Sequence, residues 1–346
     1  MAVVLGIESS CDDTGVALVV DGRLPLAEAV ASQADDFDAW GGVVPEIAAR
    51  GHLLALPGLI ERALAQAGLS LAAVDAVAVG AWPGLIGSLL AGVTAAKVLA
   101  ARRGIPLIAV DHIQAHLAAI HLGRDAIPYP LVGLVASGGH SHYYRCRGPG
   151  QIDLLGGTID DAAGEAFDKA AATLGLGYPG GPRIDALAQR GDPRRFAFPR
   201  SFLTDDTMRV SFAGLKTALL YQARGPLGRD ALAFDEQGIA DACASFQAAV
   251  IDALVGKLLL AARREGVRTI AVGGGVACNR GLRERLAQEA TRHGLTVLLP
   301  EPRHCTDNAA MIATLGFHRW QRGEIAALDL APLPTGTAGP RAPQPR

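Results

Sequence analysis

Two histidines four residues apart and one distant aspartate carry the clearest chemical potential in this chain. In Asp111-His112-Ile113-Gln114-Ala115-His116, a helix would place both imidazoles on one side, where they can share a metal ion. A hydrolytic zinc site of the HExxH type needs a glutamate base at the second position, and Ile113 stands there. Far along the chain, Thr306-Asp307-Asn308 opens a helical run. Asp307 is either an acid complementing that helix's dipole or the third member of a 2-His-1-carboxylate site. Helices also carry such histidine pairs by chance, so the pair alone leaves two unrelated imidazoles as the alternative. A second group of acids opens the chain. The apolar run 2–7 meets Glu8-Ser9-Ser10-Cys11-Asp12-Asp13-Thr14-Gly15, and a second apolar run, 16–20, follows. Acids beside a buried strand must face a cation, a ligand or water. The turn is either a polar hairpin turn or a loop that holds phosphate through hydroxyls and N–H groups, with Asp12 and Asp13 on a phosphate-bound metal.

Glycine-rich turns recur: Trp82-Pro83-Gly84-Leu85-Ile86-Gly87, Ser137-Gly138-Gly139, Tyr178-Pro179-Gly180-Gly181-Pro182 and Gly273-Gly274-Gly275-Val276-Ala277-Cys278-Asn279. Glycine admits close approach of a ligand to the backbone, and a glycine loop before a helix N-terminus suits an anion or nucleotide. Such loops in both halves favour a nucleotide site, while the lack of GxxxxGK[ST] excludes a P-loop. The run 160–169 reads as an acidic helix start, with Asp161, Glu165, Asp168 and Lys169 near one face and Asp168 free to accept from a ligand hydroxyl or amine. Ser211-Phe212-Ala213-Gly214-Leu215-Lys216-Thr217 reads as a turn without an assigned role. Arg183, Arg190, Arg194, Arg195, Arg200 and Arg209 interleave with Phe196, Phe198 and Phe202. They form either a track for a phosphodiester backbone or a solvated face with acid partners.

These groups need elements to hold them. Strands are predicted at 2–8, 15–20, 74–80, 106–110, 131–136, 142–146, 268–273 and 295–299. Helices are predicted at 45–67, 86–103, 112–121, 160–174, 183–190, 236–265, 278–293 and 307–322. Asp21-Gly22 marks a tight turn. The alternation predicts an α/β fold with helices covering mixed sheets. The opening pattern of strand, polar turn and strand recurs at 131–146, which predicts a duplication. The expected organisation is a first lobe at 1–130, a second at 131–306, a helix at about 307–330 packing back on the first, and a disordered tail at 332–346. Two such lobes would place a nucleotide cleft between them.

Composition narrows the classes. A length of 346 residues suggests two domains, and a half-hydrophobic chain with only 5% aromatics suits close packing of helices on sheets. A formal charge of −2 means that any nucleic-acid binding must use a local basic patch. Cysteines at 11, 146, 243, 278 and 305, odd in number and with no CxxC, exclude a disulfide framework and fit a reducing cytoplasm. Neither a signal segment nor a membrane span is expected.

The segments GIESSCDDTGVAL, GGVVPEIAAR, PGLIGSLLAG, HIQAH, SGGHS, DDAAGEAFDKAA, GLGYPGGP, SFAGLKT, GGGVACNRGLR and CTDNAAMIA run in order over 6–313. In these the chain resembles the TsaD (Gcp/YgjD) family of tRNA N6-adenosine threonylcarbamoyltransferases. The resemblance implies an actin/Hsp70-like (ASKHA) fold, duplicated and two-lobed. It implies transfer of threonylcarbamoyl from threonylcarbamoyl-AMP to the adenosine beside the anticodon, position 37, in tRNAs reading ANN codons, forming t6A. Residue by residue, it implies a metal on His112, His116 and Asp307, iron(II) with zinc or magnesium as alternatives. Adenylate (or ATP/ADP) would lie on Val135, Ala136, Ser137, Gly138, Gly139, Asp168, Gly181, Asp185 and Asn279. Asp12 or Asp13 is the expected acceptor of the amine proton. TsaB and TsaE are the implied partners, with TsaC supplying the adenylate. Asp13 stands where many members have Glu, and Ala115 where many have Gly. The rival readings are a metalloprotease and an ATPase or kinase of the same fold.

Overall fold

Continuous apolar runs bounded by turn residues become strands covered on both faces, as VVLGIE and TGVALVV do. The computed structural model describes residues 1–33, 37 and 43–335. In chain order the elements are β1 (Val3–Glu8), β2 (Thr14–Val20), β3 (Leu24–Ala31), α1 (Pro45–Ala67), β4 (Ala76–Trp82), α2 (Ile86–Arg103), β5 (Leu107–Asp111) and α3 (His112–Ala118). Then come β6 (Leu131–Ala136), β7 (Ser141–Gly148), β8 (Gln151–Gly157), α4 (Ala163–Thr173), α5 (Gly180–Ala188), α6 (Ala213–Arg224) and α7 (Glu236–Glu265). The chain continues with β9 (Thr269–Gly273), α8 (Arg280–His293), β10 (Thr296–Leu298) and α9 (Ala309–Gln321).

The chain divides into two compact units. The first comprises Met1–Ile127, Gly148–Ile152 and the chain from Arg303 onward; the second comprises Pro128–Arg147 and Asp153–Pro302. One sheet runs β3-β2-β1-β4-β5, and the other, β10-β9-β6-β7-β8. Read from its far edge, the second is β8-β7-β6-β9-β10, the same path as the first. In both, the opening strand pairs antiparallel with the second (β1 with β2, β6 with β7) and parallel with the fourth (β1 with β4, β6 with β9). The recurring sequence pattern is therefore a recurring topology, the duplicated actin/Hsp70-like (ASKHA) arrangement.

In the first unit α9 lies directly on the sheet. A Cβ on Gly6 of β1 would sit 2.3 Å from the Ala309 carbonyl oxygen, and one on Gly316 would sit 2.3 Å from the Ala78 Cβ. Small residues on both partners let helix and strand backbones touch, which fixes the height of the α9 N-terminus. In the second unit α7 is the core helix. Its length and hydropathy would suffice for a membrane span, yet 72% of its apolar window is buried inside the protein.

Several expected boundaries change. The strand β3 is absent from the expected set, because Pro25 and three alanines mask an edge strand behind the Asp21-Gly22 turn. Both turn residues take positive φ, 50° and 67°, as a hairpin reversal of this hand requires. The edge strand β8 is likewise missing from that set. The stretch 211–217, read as a turn, contains the start of helix α6. The helix expected from 160 begins at Ala163, that expected from 183 at Gly180, and that expected from 278 at Arg280 after a short 3-10 turn. Of the expected disordered tail at 332–346, Leu333 and Thr335 donate backbone hydrogen bonds to Ala81 and Gly84; residues 336–346 lie outside the described residues.

Candidate active site

In the first unit, β5 ends at Asp111, whose side chain caps α3 by accepting from the Gln114 N–H at 3.0 Å. Burial raises the Asp111 pKa against the backbone hydrogen bonds that lower it. The cap starts the helix so that His112 and His116 present their rings together, centroids 4.9 Å apart in an edge-on arrangement. The third group arrives from α9. Asn308, not Asp307, is the N-cap of that helix, its Oδ1 accepting from the Met311 N–H at 2.8 Å. Asp307 is therefore released from the capping role that its position suggests. Its Oδ1 lies 3.3 Å from His116 Nε2 and 3.5 Å from His112 Nε2.

The ligand atoms of His112, His116 and Asp307 all lie within 4.8 Å of one another. His116 is 1% exposed, and neither of its ring nitrogens makes a hydrogen bond. Buried imidazole nitrogens left in this state are what a cation would satisfy, and two imidazoles with a carboxylate suit a divalent transition metal. The donor set thus fits the metal that the sequence led us to expect.

A further carboxylate orients the site. Glu8, at the end of β1 and 1% exposed, holds His112 Nδ1 at 2.9 Å through Oε2 and accepts from the Ser10 N–H at 2.6 Å through Oε1. Ser10 Oγ lies 3.1 Å from the same Nδ1. Gly80 of β4 makes room, since a Cβ there would sit 3.0 Å from Glu8 Oε2. A carboxylate behind a histidine fixes the ring and turns its other nitrogen toward a metal. Burial alone would lower the His112 pKa, but the charges of Glu8 and Asp307 outweigh it and push it up to about 10. The pocket is an electrostatic sink for a positive occupant.

Beside it runs the turn 9–13. Burial raises the Asp13 pKa, opposed by a hydrogen bond from Ser32 and reinforced by the charges of Asp12, Asp307 and Glu8. Asp13 Oδ1 is buried without a hydrogen-bond partner. Burial, then the charge of Asp12, pushes the Cys11 thiol far up, so it stays protonated and is no nucleophile. His52 of α1 anchors the turn: its Nδ1 lies 2.7 Å from Thr14 Oγ1 and its Nε2 donates to the Cys11 carbonyl at 3.0 Å. Neither His52 nor the orienting role of Glu8 could be read from sequence, because a lone histidine in an amphipathic helix carries no spacing signal.

In the second unit the corresponding turn is built without acids. Val135 and Ala136 are buried in β6 and paired with His142 and Ser141, so they position the turn through their backbone. The Ser137 N–H closes the turn on the His140 carbonyl, and the Ser137 and Gly138 carbonyls accept from the Gly164 and Glu165 N–H groups. The turn therefore caps α4. A Cβ on Gly164 would strike the Ser137 carbonyl oxygen at 2.6 Å, whereas one on Gly138, Gly139 or Gly181 would meet nothing within 4 Å. None of those last three has positive φ. Nothing inside the fold requires glycine at these three positions, so the open face is available for close approach of a ligand.

Asp168 turns away from the acidic face expected for it. Its Oδ1 accepts from the Gly180 N–H at 2.8 Å, tying α4 to the start of α5, and burial raises its pKa. Lys169 instead sits between Asp161 at 2.8 Å and Glu165 at 2.5 Å, with Lys216 also on Asp161 at 2.6 Å. Asp185 accepts from the Arg280 N–H at the start of α8 through Oδ2, while its Oδ1 is buried without a hydrogen-bond partner. Asn279 caps α8 through Oδ1 and donates through Nδ2 to Gln247 Oε1 at 2.7 Å. Among the arginines, Arg183 is spent on the carbonyls of Leu176 and Tyr178, and Arg200 on Asp252. Phe196 and Phe198 pack on each other and on Phe234 and Phe246, while Phe202 lies apart under Arg209, so the three rings form no continuous row of base-stacking platforms.

A family model described as tRNA N6-adenosine threonylcarbamoyltransferase, TsaD, matches residues 25–314. The protein of that name from Geobacter metallireducens is 49% identical over 331 residues, 96% of either chain. That from Geobacter sulfurreducens is 50% identical over 331 residues, 95% of either chain. That from Clostridium beijerinckii is 44% identical over 339 residues, covering 98% of this chain and 99% of its own. Among solved structures, full-length HypF in a phosphate- and nucleotide-bound form aligns with a TM-score of 0.61 at 15% identity, over 94% of this chain and 56% of its own. Component A of Acidaminococcus fermentans (R)-2-hydroxyglutaryl-CoA dehydratase aligns with a TM-score of 0.51 at 15% identity, over 92% and 99%. At such identities these two likenesses bear on the fold alone.

Proposed function

The chain belongs to the TsaD family of tRNA N6-adenosine threonylcarbamoyltransferases, and from that premise we propose that it forms t6A. It would transfer threonylcarbamoyl from threonylcarbamoyl-AMP to the exocyclic amine of adenosine 37 in tRNAs reading ANN codons. The observation that carries this reading is a match of about half of all residues over the length of the chain.

In this reading His112, His116 and Asp307 hold one divalent metal, iron(II) by preference, and Glu8 orients His112. When bound, the cation would serve as Lewis acid and template toward phosphate oxygens. Gly138, Gly139 and Gly181 expose backbone to the adenylate, while Asp168, Asp185 and Asn279 hold the helix ends around it. The adenosine amine is a weak nucleophile, so attack geometry must be supplied by binding. Of the two candidate bases, Asp13 is the better placed chemically: its raised pKa and its unpartnered oxygen suit a proton acceptor. A flipped-out adenosine in a single-stranded anticodon loop would reach such a site at lower cost than one in a duplex. TsaB and TsaE are the proposed partners, with TsaC as the source of the adenylate. All five cysteines are free thiols, which fits a reducing cytoplasm.

A metalloprotease is not favoured, because position 113 offers a buried isoleucine where that chemistry needs a general base. The test is reconstitution of the full chain with threonine, bicarbonate, ATP, the partner proteins and tRNA, followed by nucleoside mass analysis. Threonylcarbamoyladenosine is the expected product, and its absence with partners shown to be active overturns the reading.

A further inference from the structure

The segment 191–209 runs along α7 and winds partly round it. The Asp192 N–H donates to Asp241 Oδ1 at 2.8 Å, and Ser245 Oγ donates to the Asp192 carbonyl at 3.0 Å while accepting from the Phe196 N–H. Farther along, Arg200 Nε meets Asp252 at 2.7 Å. The Lys257 ammonium, fully buried, bonds both the carbonyl and the carboxylate of Asp205 at 2.7 Å. Arg264 closes the series on Asp206. Positions 241, 245 and 252 share one face of the helix, 257 and 264 lie roughly a third of a turn further round, and at 1.5 Å per residue the five span roughly 35 Å. Phe196 and Phe198 pin the strap to the interior through Phe234 and Phe246.

This arrangement sorts the charges. The acids of the strap are occupied: Asp192 by the Arg194 N–H, Asp205 by Lys257, and Asp206 by Arg264. Arg190, just before the strap, and Arg194, Arg195 and Arg209 on it are exposed, and among the described residues no ion pair within 4 Å joins any of them to a carboxylate, although the charge of Arg195 reaches Asp241, whose carboxyl is held down first by the Asp192 N–H and Gln237. Arg195 and Arg209 lie against the Phe196 and Phe202 rings, at 5.9 and 4.8 Å. An exposed guanidinium held on a fixed backbone, and locked in no ion pair, is suited to phosphate oxygens.

We propose that this strap is a track for the phosphate backbone of the RNA substrate, with Arg190, Arg194, Arg195 and Arg209 as its contacts. The proposal rests on the transferase reading for its ligand, but its test is separable. The strap reads no bases; it adds affinity and salt dependence, and it leaves adenylate binding to the glycine turn and the helix ends described above.

The test uses the full chain carrying Arg194→Glu/Arg195→Glu, and separately Arg194→Ala/Arg195→Ala to limit folding effects. The readouts are tRNA binding across a salt series, binding of a non-hydrolysable adenylate, and transfer at saturating tRNA. Thermal melting establishes that each variant is folded. The expected result is about a tenfold or greater loss of tRNA affinity at low salt. The slope of log K against log salt should fall by roughly 0.7 to 0.9 per lost contact. Adenylate affinity and saturated transfer should be unchanged, and Arg62→Glu in the first unit should leave all readouts at the wild-type level. Unchanged affinity and slope in a folded variant that still transfers would overturn the track while leaving the transferase reading intact. Failure of the wild-type chain to modify tRNA with active partners would instead sink the transferase reading.

Discussion

The two units follow the same strand path and use the turn after its first strand in opposite ways. In the first unit β1 runs into Glu8, Asp12 and Asp13, beside two histidines and Asp307, and the pocket draws a positive charge. In the second, β6 runs into Ser137-Gly138-Gly139, where side chains are removed and the backbone faces open space. One copy of the frame therefore concentrates carboxylates for a cation. The other strips its turn for close approach of a ligand. Duplication supplied the geometry, and the residues grafted at equivalent places decided which charge each site prefers.

The sharpest way to break that contrast is to remove the cation site. His116→Ala should abolish bound metal and lower transfer by about a thousandfold or more, the scale of several kcal/mol of charge stabilisation. Elemental analysis beside nucleoside quantification checks it; retention of both would show that the metal lies elsewhere. A second comparison sets glycines against each other. Gly139→Val should leave the melting temperature near wild type yet weaken adenylate binding by well over tenfold, because its side chain enters open space where the ligand would lie. Gly6→Ala should instead destabilise by about 1–3 kcal/mol, since its methyl meets the α9 backbone. Denaturant unfolding and adenylate titration of both variants would expose a reversed pattern.

Glu8→Ala tests whether the orienting carboxylate matters. Metal affinity should fall by roughly 10- to 100-fold with the three ligands intact. Competition with a metal chelator measures it, and wild-type affinity would reduce Glu8 to a packing role.

The smallest effect concerns acid stability of the first unit. Burial lowers the pKa of His121 to about 3 and of His318 to about 4, with their rings 4.6 Å apart. Below the ordinary imidazole value near 6.5, an unfolded chain takes up protons that these folded histidines refuse, so stability falls as pH drops from 6.5 toward 4. Melting temperatures at pH 7.5 and 5.0 should converge in His121→Leu/His318→Leu relative to wild type; an unchanged gap would assign the acid sensitivity to other groups.

Much of this molecule was legible before folding. Long apolar periodicities place α1, α2 and α7 at their observed bounds, because many residues vote for one period. The HxxxH spacing, the strand–turn–strand repeat and the glycine loops were likewise readable, being local patterns set by backbone geometry. The edge strands β3 and β8 were not, since a strand exposed on one edge tolerates proline, alanine and glycine. Helix α6 was hidden by polar and glycine residues at its start.

What only the tertiary structure decided is which distant groups meet. Sequence leaves Asp307 as helix cap or ligand. Folding resolves the choice, because Asn308 takes the cap and glycine–alanine contact between β1 and α9 sets Asp307 beside His112 and His116. The same holds for Glu8 behind His112 and His52 behind the turn. Local pattern follows from the backbone's own periodicity, whereas a polar side chain's partner depends on burial and on contacts between segments far apart in the chain, 38 residues for His52 and Thr14 and 104 for Glu8 and His112. No period in the chain encodes those.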